Sequence, residues 1–451
     1  MKTPGCLLPQ EECSSISSIT SWLQTFDFIL MLDLKLIRSQ SETIAENCKN
    51  RNLDLDIPEL LRLDEEVRAM NTQLDTIRQQ RNEISKTMKQ PLSLEERQPL
   101  IESSKSLRDE EGKLEESFRE LKEKRDDLHR MIPNLTHPDS PIGLTDEDNL
   151  PLREVGKVPE FDFEPKDHVD LMESLDLVDF EGGAKVVGQK FYYLKNQAVF
   201  LELALANYAL NLLREEGFTP FITPDLARNQ ILDGIGFNPR GEETQIYSVE
   251  NSDLSLIATA EITLGGLLAN QIIDADQLPL LYAGLSHCYR TEAGAAGRES
   301  RGLYRVHQFS KIEMFAFTHP DRSEEMHERM REIEERIYQD LEIPFRVVDI
   351  CTGDLGSPAY RKYDLEAWMP GRGKWGEITS TSNCTDYQSR RLNIRFKDKQ
   401  TGNNRFVHML NGTAIAVSRT LIALIENGQR DDGSIRLPPC LGIPDIPAPG
   451  A

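Results

Sequence analysis

Residues 58–132 carry apolar side chains at alternating three- and four-residue spacings, and that rhythm permits little besides two long helices packed together. The first series is Leu60, Leu63, Val67, Met70, Leu74, Ile77, Ile84 and Met88, interrupted only at Arg81. The second is Leu100, Ser104, Leu107, Glu111, Leu114, Phe118, Leu121, Arg125, Leu128 and Ile132, which keeps the spacing but mixes polar residues into the seam. Gln90-Pro91 separates them. Two heptad helices across a short turn predict an antiparallel coiled-coil hairpin, with about 30 residues per helix and a reach of roughly 45 Å. Pro58 suits the first turn of the first helix and Pro133 ends the second. Pro99 is expected in the first turn of the second helix, which places that helix's start near Gln98 rather than Ser93.

The chain has 451 residues and a formal net charge of −23, which opposes non-specific nucleic-acid binding over the whole surface. The distal half of the hairpin is the exception. Between positions 78 and 108 seven basic residues (Arg78, Arg81, Lys86, Lys89, Arg97, Lys105, Arg108) face four acids. Mixed charge on a solvated coiled coil has this composition; so does an arm laid along an RNA backbone, whose contacts would be salt-sensitive and would read shape. The length predicts two or three domains. No apolar run approaches the ~20 residues of a membrane helix, FILML at 28–32 being closed by Asp33. Residues 1–30 have Lys2 as their only basic residue and match neither a signal nor a transit peptide, so a disordered extension is expected, with Met31 a possible true start. The seven cysteines are scattered and form no C-x-x-C pair; neither disulfides nor a structural zinc is expected, and a reducing cytoplasm fits.

Residues 134–165 are rich in Pro, Asp and Glu and read as a surface linker. From 166 to 437 the pattern is mixed α/β, with an amphipathic helix over 196–216 followed by an extended, proline-bearing segment to Pro224. Residues 438–451 form a Pro-rich tail.

The stretch CYRTEAGAAGRESRGLYRVHQFSKIEMFAF, residues 288–317, reads as two strands joined by a glycine-bearing loop. Alternation would put Arg290 and Glu292 on one strand face, and Phe309 with Glu313 on one face of the partner. Such a hairpin can hold a nucleotide, with Arg on a phosphate, Phe against a base and Glu on an amine. An ordinary hairpin with a polar wet side has the same spacing.

This stretch resembles motif 2 of the class II aminoacyl-tRNA synthetases in its seryl form, F-R-x-E-A-G-x-x-G-R-x-x-R-G-L-x-R-x-H-Q-F-x-K-x-E, with Tyr289 in the first aromatic place. Thr259-Ala-Glu261 resembles the family's T-x-E serine signature. Glu377-Ile-Thr-Ser380 with Thr381-Ser-Asn383 resembles its E-x-S-S-x-S-N segment. Asn411-Gly-Thr-Ala-Ile-Ala-Val-Ser-Arg419 resembles motif 3, and the helix and strand up to Pro224 resemble motif 1, the dimer-forming motif. The resemblance runs from Met31 to about residue 437. It implies an α+β fold: an antiparallel-sheet class II catalytic domain with an N-terminal two-helix coiled-coil arm.

The resemblance also implies a chemistry. ATP would lie against Arg290, Glu292, Val306, Phe309, Glu377, Ser380 and Arg419, with Arg290 and Arg419 as the catalytic cations. Glu377 and Ser380, hard oxygen donors, would carry Mg²⁺ with the ATP. Serine would meet Thr259, Glu261, Arg290, Glu313 and Thr413, and the basic arm would embrace tRNA(Ser), and tRNA(Sec) where the host has one. The implied enzyme is a homodimeric serine–tRNA ligase. Two other readings share parts of this sequence. A synthetase-like paralogue that loads a protein carrier typically lacks the long arm, and a non-catalytic coiled-coil protein would not need the intact polar set.

Overall fold

The computed structural model describes residues 32–237, 245–293 and 301–450. The expected extension over 1–30 and the middle of the glycine-bearing loop, 294–300, lie outside the described residues.

The hairpin of helices is present. Helix α1 spans Ile57–Thr87 and α2 spans Leu94–Arg130. Asp56 caps α1 by accepting from the Glu59 backbone N–H at 2.8 Å, and Pro58 falls in its first turn. The start of α2 corrects the sequence reading. Ser93 and Glu96 form a capping box, so the helix begins at Leu94 and carries Pro99 inside it. The reciprocal cap satisfies two backbone donors and outweighs the one ladder bond that proline removes.

The seam also explains the interrupted heptads. Arg81, the break in the first series, pairs with Glu111, a polar seat of the second. Arg78 joins the same carboxylate at 3.1 Å and Glu115 at 2.8 Å. At the base, buried Asp64 accepts from Arg38 at 2.6 Å and lies 3.7 Å from Arg125, another polar seat. Polar residues facing each other across a coiled coil fix its register where apolar seats would allow slippage.

The elements that frame the cleft are helices α3 (Gln197–Glu215), α4 (Ala260–Gly266), α5 (Ser323–Asp340) and α6 (Val417–Gly428). With them are strands β1 (Leu150–Val155), β2 (Thr219–Ile222), β3 (Leu280–Tyr289) and β4 (Gln308–Thr318). The remaining four are β5 (Phe345–Asp349), β6 (Arg361–Met369), β7 (Lys374–Asn383) and β8 (His408–Ala416). They form one eight-stranded sheet in the order β1-β5-β6-β7-β8-β4-β3-β2. Every pair is antiparallel except β2 with β3. The apolar faces of α3, α5 and α6 close over the sheet, burying Leu201, Leu205, Met330, Ile337, Leu421 and Ile425 with Ile312, Met314 and Leu410. This is the expected α+β architecture.

One segment differs from its reading. Residues 150–155, inside the expected linker, form the edge strand β1 on β5. The Pro-rich tail packs back, with Leu441 and Ile446 buried in the main core. No described helix is long and apolar enough to cross a membrane.

Two register slips shape the site. Between β6 and β7, Leu365 faces Thr379 while Glu366 faces Glu377, leaving Ile378 as an extra residue. Residues three apart on a regular strand point to opposite faces; the bulge returns Glu377 and Ser380 to the same one. Between β4 and β8, Thr413 faces Glu313 and Ile415 faces Ile312, so Ala414 is extra and Thr413 shares a face with Ala416. Strands β7 and β8 pair only over Thr381–Asn383. At the end of this pairing and beyond it hydroxyls take over, Thr381 Oγ1 donating to Asn411 O at 3.1 Å and Thr379 Oγ1 to Thr413 O. The strands part there, and the cleft opens between them.

Candidate active site

All eleven residues expected to meet ATP or serine line one cleft of about 810 Å³, its open mouth included: Thr259, Glu261, Arg290, Glu292, Val306, Phe309, Glu313, Glu377, Ser380, Thr413 and Arg419.

Strand β4 supplies the floor. Phe309, Lys311 and Glu313 alternate toward the cleft, as their period predicts. Arg290 and Glu292 reach it differently from the sequence reading. Strand β3 ends at Tyr289, and Glu292 takes φ +51°, a left-handed conformation no strand residue holds. Arg290 stays anchored because its N–H donates to His307 O at 3.0 Å and the His307 ring donates to Arg290 O at 2.8 Å. Its guanidinium lies 5.3 Å from the centre of the Phe309 ring.

At the other wall, Arg419 projects from the first turn of α6, where a helix N-terminus also favours anions. It is 2.9 Å from Glu377 Oε1 and 4.8 Å from the centre of the Tyr304 ring. Burial alone would raise the Glu377 pKa, but Arg419, then Lys362 and Arg290, outweigh it and hold the carboxyl at about 2. Glu377 is therefore an ionised oxygen donor at any working pH.

Deeper in the cleft lies a small polar pocket. Lys311 Nζ is 2.6 Å from Glu313 Oε2, and Thr413 Oγ1 donates to the same oxygen at 3.1 Å. Thr259 caps α4, accepting from the Glu261 N–H at 3.3 Å, which turns the Glu261 side chain inward. Gln388 and Asn411 donate to Glu261 Oε1 at 2.7 and 2.9 Å. Burial, then the neighbouring Glu313 charge, pushes the Glu261 pKa up to about 7. Two carboxylates, a lysine and a threonine hydroxyl converge on a space suited to an ammonium and a hydroxyl group.

Family models agree with this geometry. Residues 246–428 match the tRNA synthetase class II core domain (G, H, P, S and T), and residues 31–136 match the seryl-tRNA synthetase N-terminal domain. A relative from Treponema denticola, named a serine--tRNA ligase, is 56% identical over 413 residues, which is 91% of this chain and 98% of its own length. The chain belongs to the seryl-tRNA synthetase family. A second relative so named, from Rubrobacter xylanophilus, is 55% identical over 411 residues, 91% of this chain and 97% of its own. The seryl-tRNA synthetase of Pyrococcus horikoshii, solved complexed with ATP, superposes with a TM-score of 0.85 at 43% identity over 93% of this chain and 100% of that one.

Within this seryl-tRNA synthetase-family site, sequence reasoning passed over several residues. Lys311 sits in motif 2 and was legible as a period-2 neighbour of Phe309 and Glu313, yet it carried no expected role. Asn411 opens motif 3 and reaches Glu261. Tyr304 underlies Arg419, and Gln388, beyond the described motifs, had no signal at all. Of the seven basic arm residues, Arg78 and Arg81 are engaged across the seam, while Lys86, Lys89, Arg97, Lys105 and Arg108 are exposed.

Proposed function

We propose that this chain is a serine–tRNA ligase: it activates L-serine with ATP to seryl-adenylate and transfers serine to tRNA(Ser), and to tRNA(Sec) where the host has one. The observation that carries the reading is the single cleft in which Arg290, Arg419 and Glu377 adjoin the Glu261–Glu313–Thr413 pocket.

The serine carboxylate is already ionised, so its attack on the ATP α-phosphorus needs no general base, and pyrophosphate leaves. Charge on the phosphoryl oxygens in transit is met by Arg290 and Arg419, while Phe309, Glu292 and Val306 hold the adenine. The catalysis is positioning and electrostatics. Among the described residues no group of three or more His, Cys, Asp or Glu could hold a metal by itself. Mg²⁺ typically takes one or two protein carboxylates and completes its shell with phosphate and water. Glu377, ionised, and Ser380, turned to the same face by the bulge, fit that donor set. The ion would neutralise ATP phosphate charge. In the second step the acceptor is the 3′-hydroxyl of the terminal tRNA ribose.

Glu261 and Glu313 bind the serine ammonium, Thr259 and Thr413 its polar groups, and Arg290 its carboxylate. A pocket that hydrogen-bonds a hydroxyl rejects alanine strongly, because buried partners go unpaired. The five exposed arm cations are suited to tRNA backbone, with residues 31–133 as the tRNA-binding domain and 166–437 as the catalytic domain. Exposed Phe200 and Leu203 on α3 and Ile222 on β2 offer the apolar surface of a homodimer. The protein acts in the cytoplasm.

Aminoacylation of purified serine tRNA with serine, threonine and alanine tests the proposal. Serine is charged and alanine is rejected by at least about 1,000-fold in kcat/KM. Equal charging of alanine, or none of serine, overturns it.

The Glu261 pKa adds a pH signature. Ammonium binding needs the carboxylate, and below about 7 its fraction falls about tenfold per pH unit. In ATP–pyrophosphate exchange, KM for serine rises as pH drops from 8 to 6 while KM for ATP stays flat. Parallel changes in both would remove Glu261 from serine binding.

A further inference from the structure

The base of the arm is wired into the serine pocket. Asn134, buried, belongs to the segment that leaves α2. Its side-chain amide donates to Cys384 O, Thr385 Oγ1 and Pro358 O, each at 2.9 Å. Asn47, in the N-terminal helical region, donates to Asn134 O at 3.1 Å and accepts from the Thr136 N–H at 3.1 Å.

The residue Asn134 holds is strained. Thr385 has φ +45°, and a β-branched side chain in the left-handed region is uncommon and costly. Such a conformation persists when its surroundings over-determine it. Here three hydrogen bonds do so. The Thr385 N–H donates to Asn383 Oδ1 at 2.9 Å, the Met409 N–H donates to Thr385 O at 2.8 Å, and Asn134 reaches the hydroxyl.

From this turn a short path leads to substrate. Cys384 N–H donates to Met409 O at 3.0 Å, joining the turn to the start of β8. Asn411 Nδ2, one pleat along β8, lies 3.5 Å from Cys384 Sγ and donates to Glu261 Oε1 at 2.9 Å. On the far side, Gln388, which follows the same turn, donates to Glu261 as well. Both donors that orient Glu261 are thus placed by the backbone at 384–385.

We infer that Asn134 is a positioning residue for serine recognition: it holds the Cys384–Thr385 turn, and through Asn411 and Gln388 it fixes Glu261. The N-terminal helical region therefore completes the amino-acid site from behind, and the Asn134 side chain carries a load on the arm to Glu261. Arg51 makes the contrast. Its buried guanidinium also docks this region, but its hydrogen bonds run to Ala359 O at 2.5 Å, Gly356 O at 3.2 Å, Leu135 O and Thr136 Oγ1 and not to the 384–385 turn.

The inference rests on Glu261 binding serine, and the test separates the two. ATP–pyrophosphate exchange is measured on the full-length enzyme and on N134A, R51A and N134A/T385G. N134A raises KM for serine about tenfold and leaves KM for ATP within about twofold. Adding T385G restores most of the loss, because glycine takes the left-handed conformation unaided. R51A lowers the melting temperature without the serine-specific shift. If N134A does not fold, N134S, a smaller change, is compared in the same way and shifts KM for serine at least about threefold. The inference is overturned if both KM values move together, if T385G fails to restore serine affinity, or if R51A shifts KM for serine as N134A does. Absence of serine-dependent exchange in the parent enzyme would instead remove the reading of the pocket itself.

Discussion

Replacing Arg290 by alanine is expected to cut serine-dependent ATP–pyrophosphate exchange by at least about 100-fold, close to 3 kcal/mol in transition-state energy. The size follows from the site. Arg290 is fixed through both its backbone groups to His307, so its guanidinium reaches the phosphate end of the cleft with little freedom to lose. Among the described residues the other two cations that line the cleft, Arg419 and Lys311, stand elsewhere in it, beside Glu377 and Glu313, and do not replace Arg290. The loss should fall mainly on kcat, since charge builds in the transition state more than in bound ATP. Pre-steady-state exchange kinetics check it. A variant within tenfold of the parent would place the catalytic cation elsewhere.

Shortening the arm should separate the two half-reactions. Removing residues 72–118 and joining the stumps with a short glycine linker leaves the Asp64–Arg38 and Asp64–Arg125 pairs at the base intact. Serine activation is expected to stay within about twofold, because no arm residue beyond Asp64 lines the cleft. Charging of tRNA is expected to fall by at least about 1,000-fold, as backbone contacts from five exposed cations are lost together. Steady-state aminoacylation at two salt concentrations measures it. The parent should weaken steeply with salt and the shortened enzyme should not. Equal charging by both would give the arm another task.

Much of this molecule is legible in the chain, for reasons that differ by element. The helical hairpin shows because heptads are a local, repeated signal. Its polar seats look like flaws until Arg81 meets Glu111 across the seam, a pairing that links residues thirty apart. The Leu94 start is written in the Ser93 and Glu96 cap, while Pro99, which favours a first-turn position, points to a later start. In the site, the polar residues themselves were legible, as motif 2 strands or through family resemblance. Their convergence was implied by the resemblance, but the backbone geometry that produces it was not legible. Glu377 and Ser380 share a face only through the extra Ile378, and bulges leave no mark on a strand's composition. Strand β1 was hidden because its residues are exposed along an edge and lack alternation. Gln388 and Asn134 act through contacts with segments far away in sequence, which no local pattern encodes.

A crystal structure of the chain soaked with ATP, Mg²⁺ and a non-reactive serine analogue tests the account most directly. The account predicts the adenine against Phe309, the phosphates between Arg290 and Arg419 with an ion on Glu377 and Ser380, and the analogue's ammonium within hydrogen-bond reach of Glu261 or Glu313. A nucleotide bound outside this cleft, or an amino group far from both carboxylates, would contradict it.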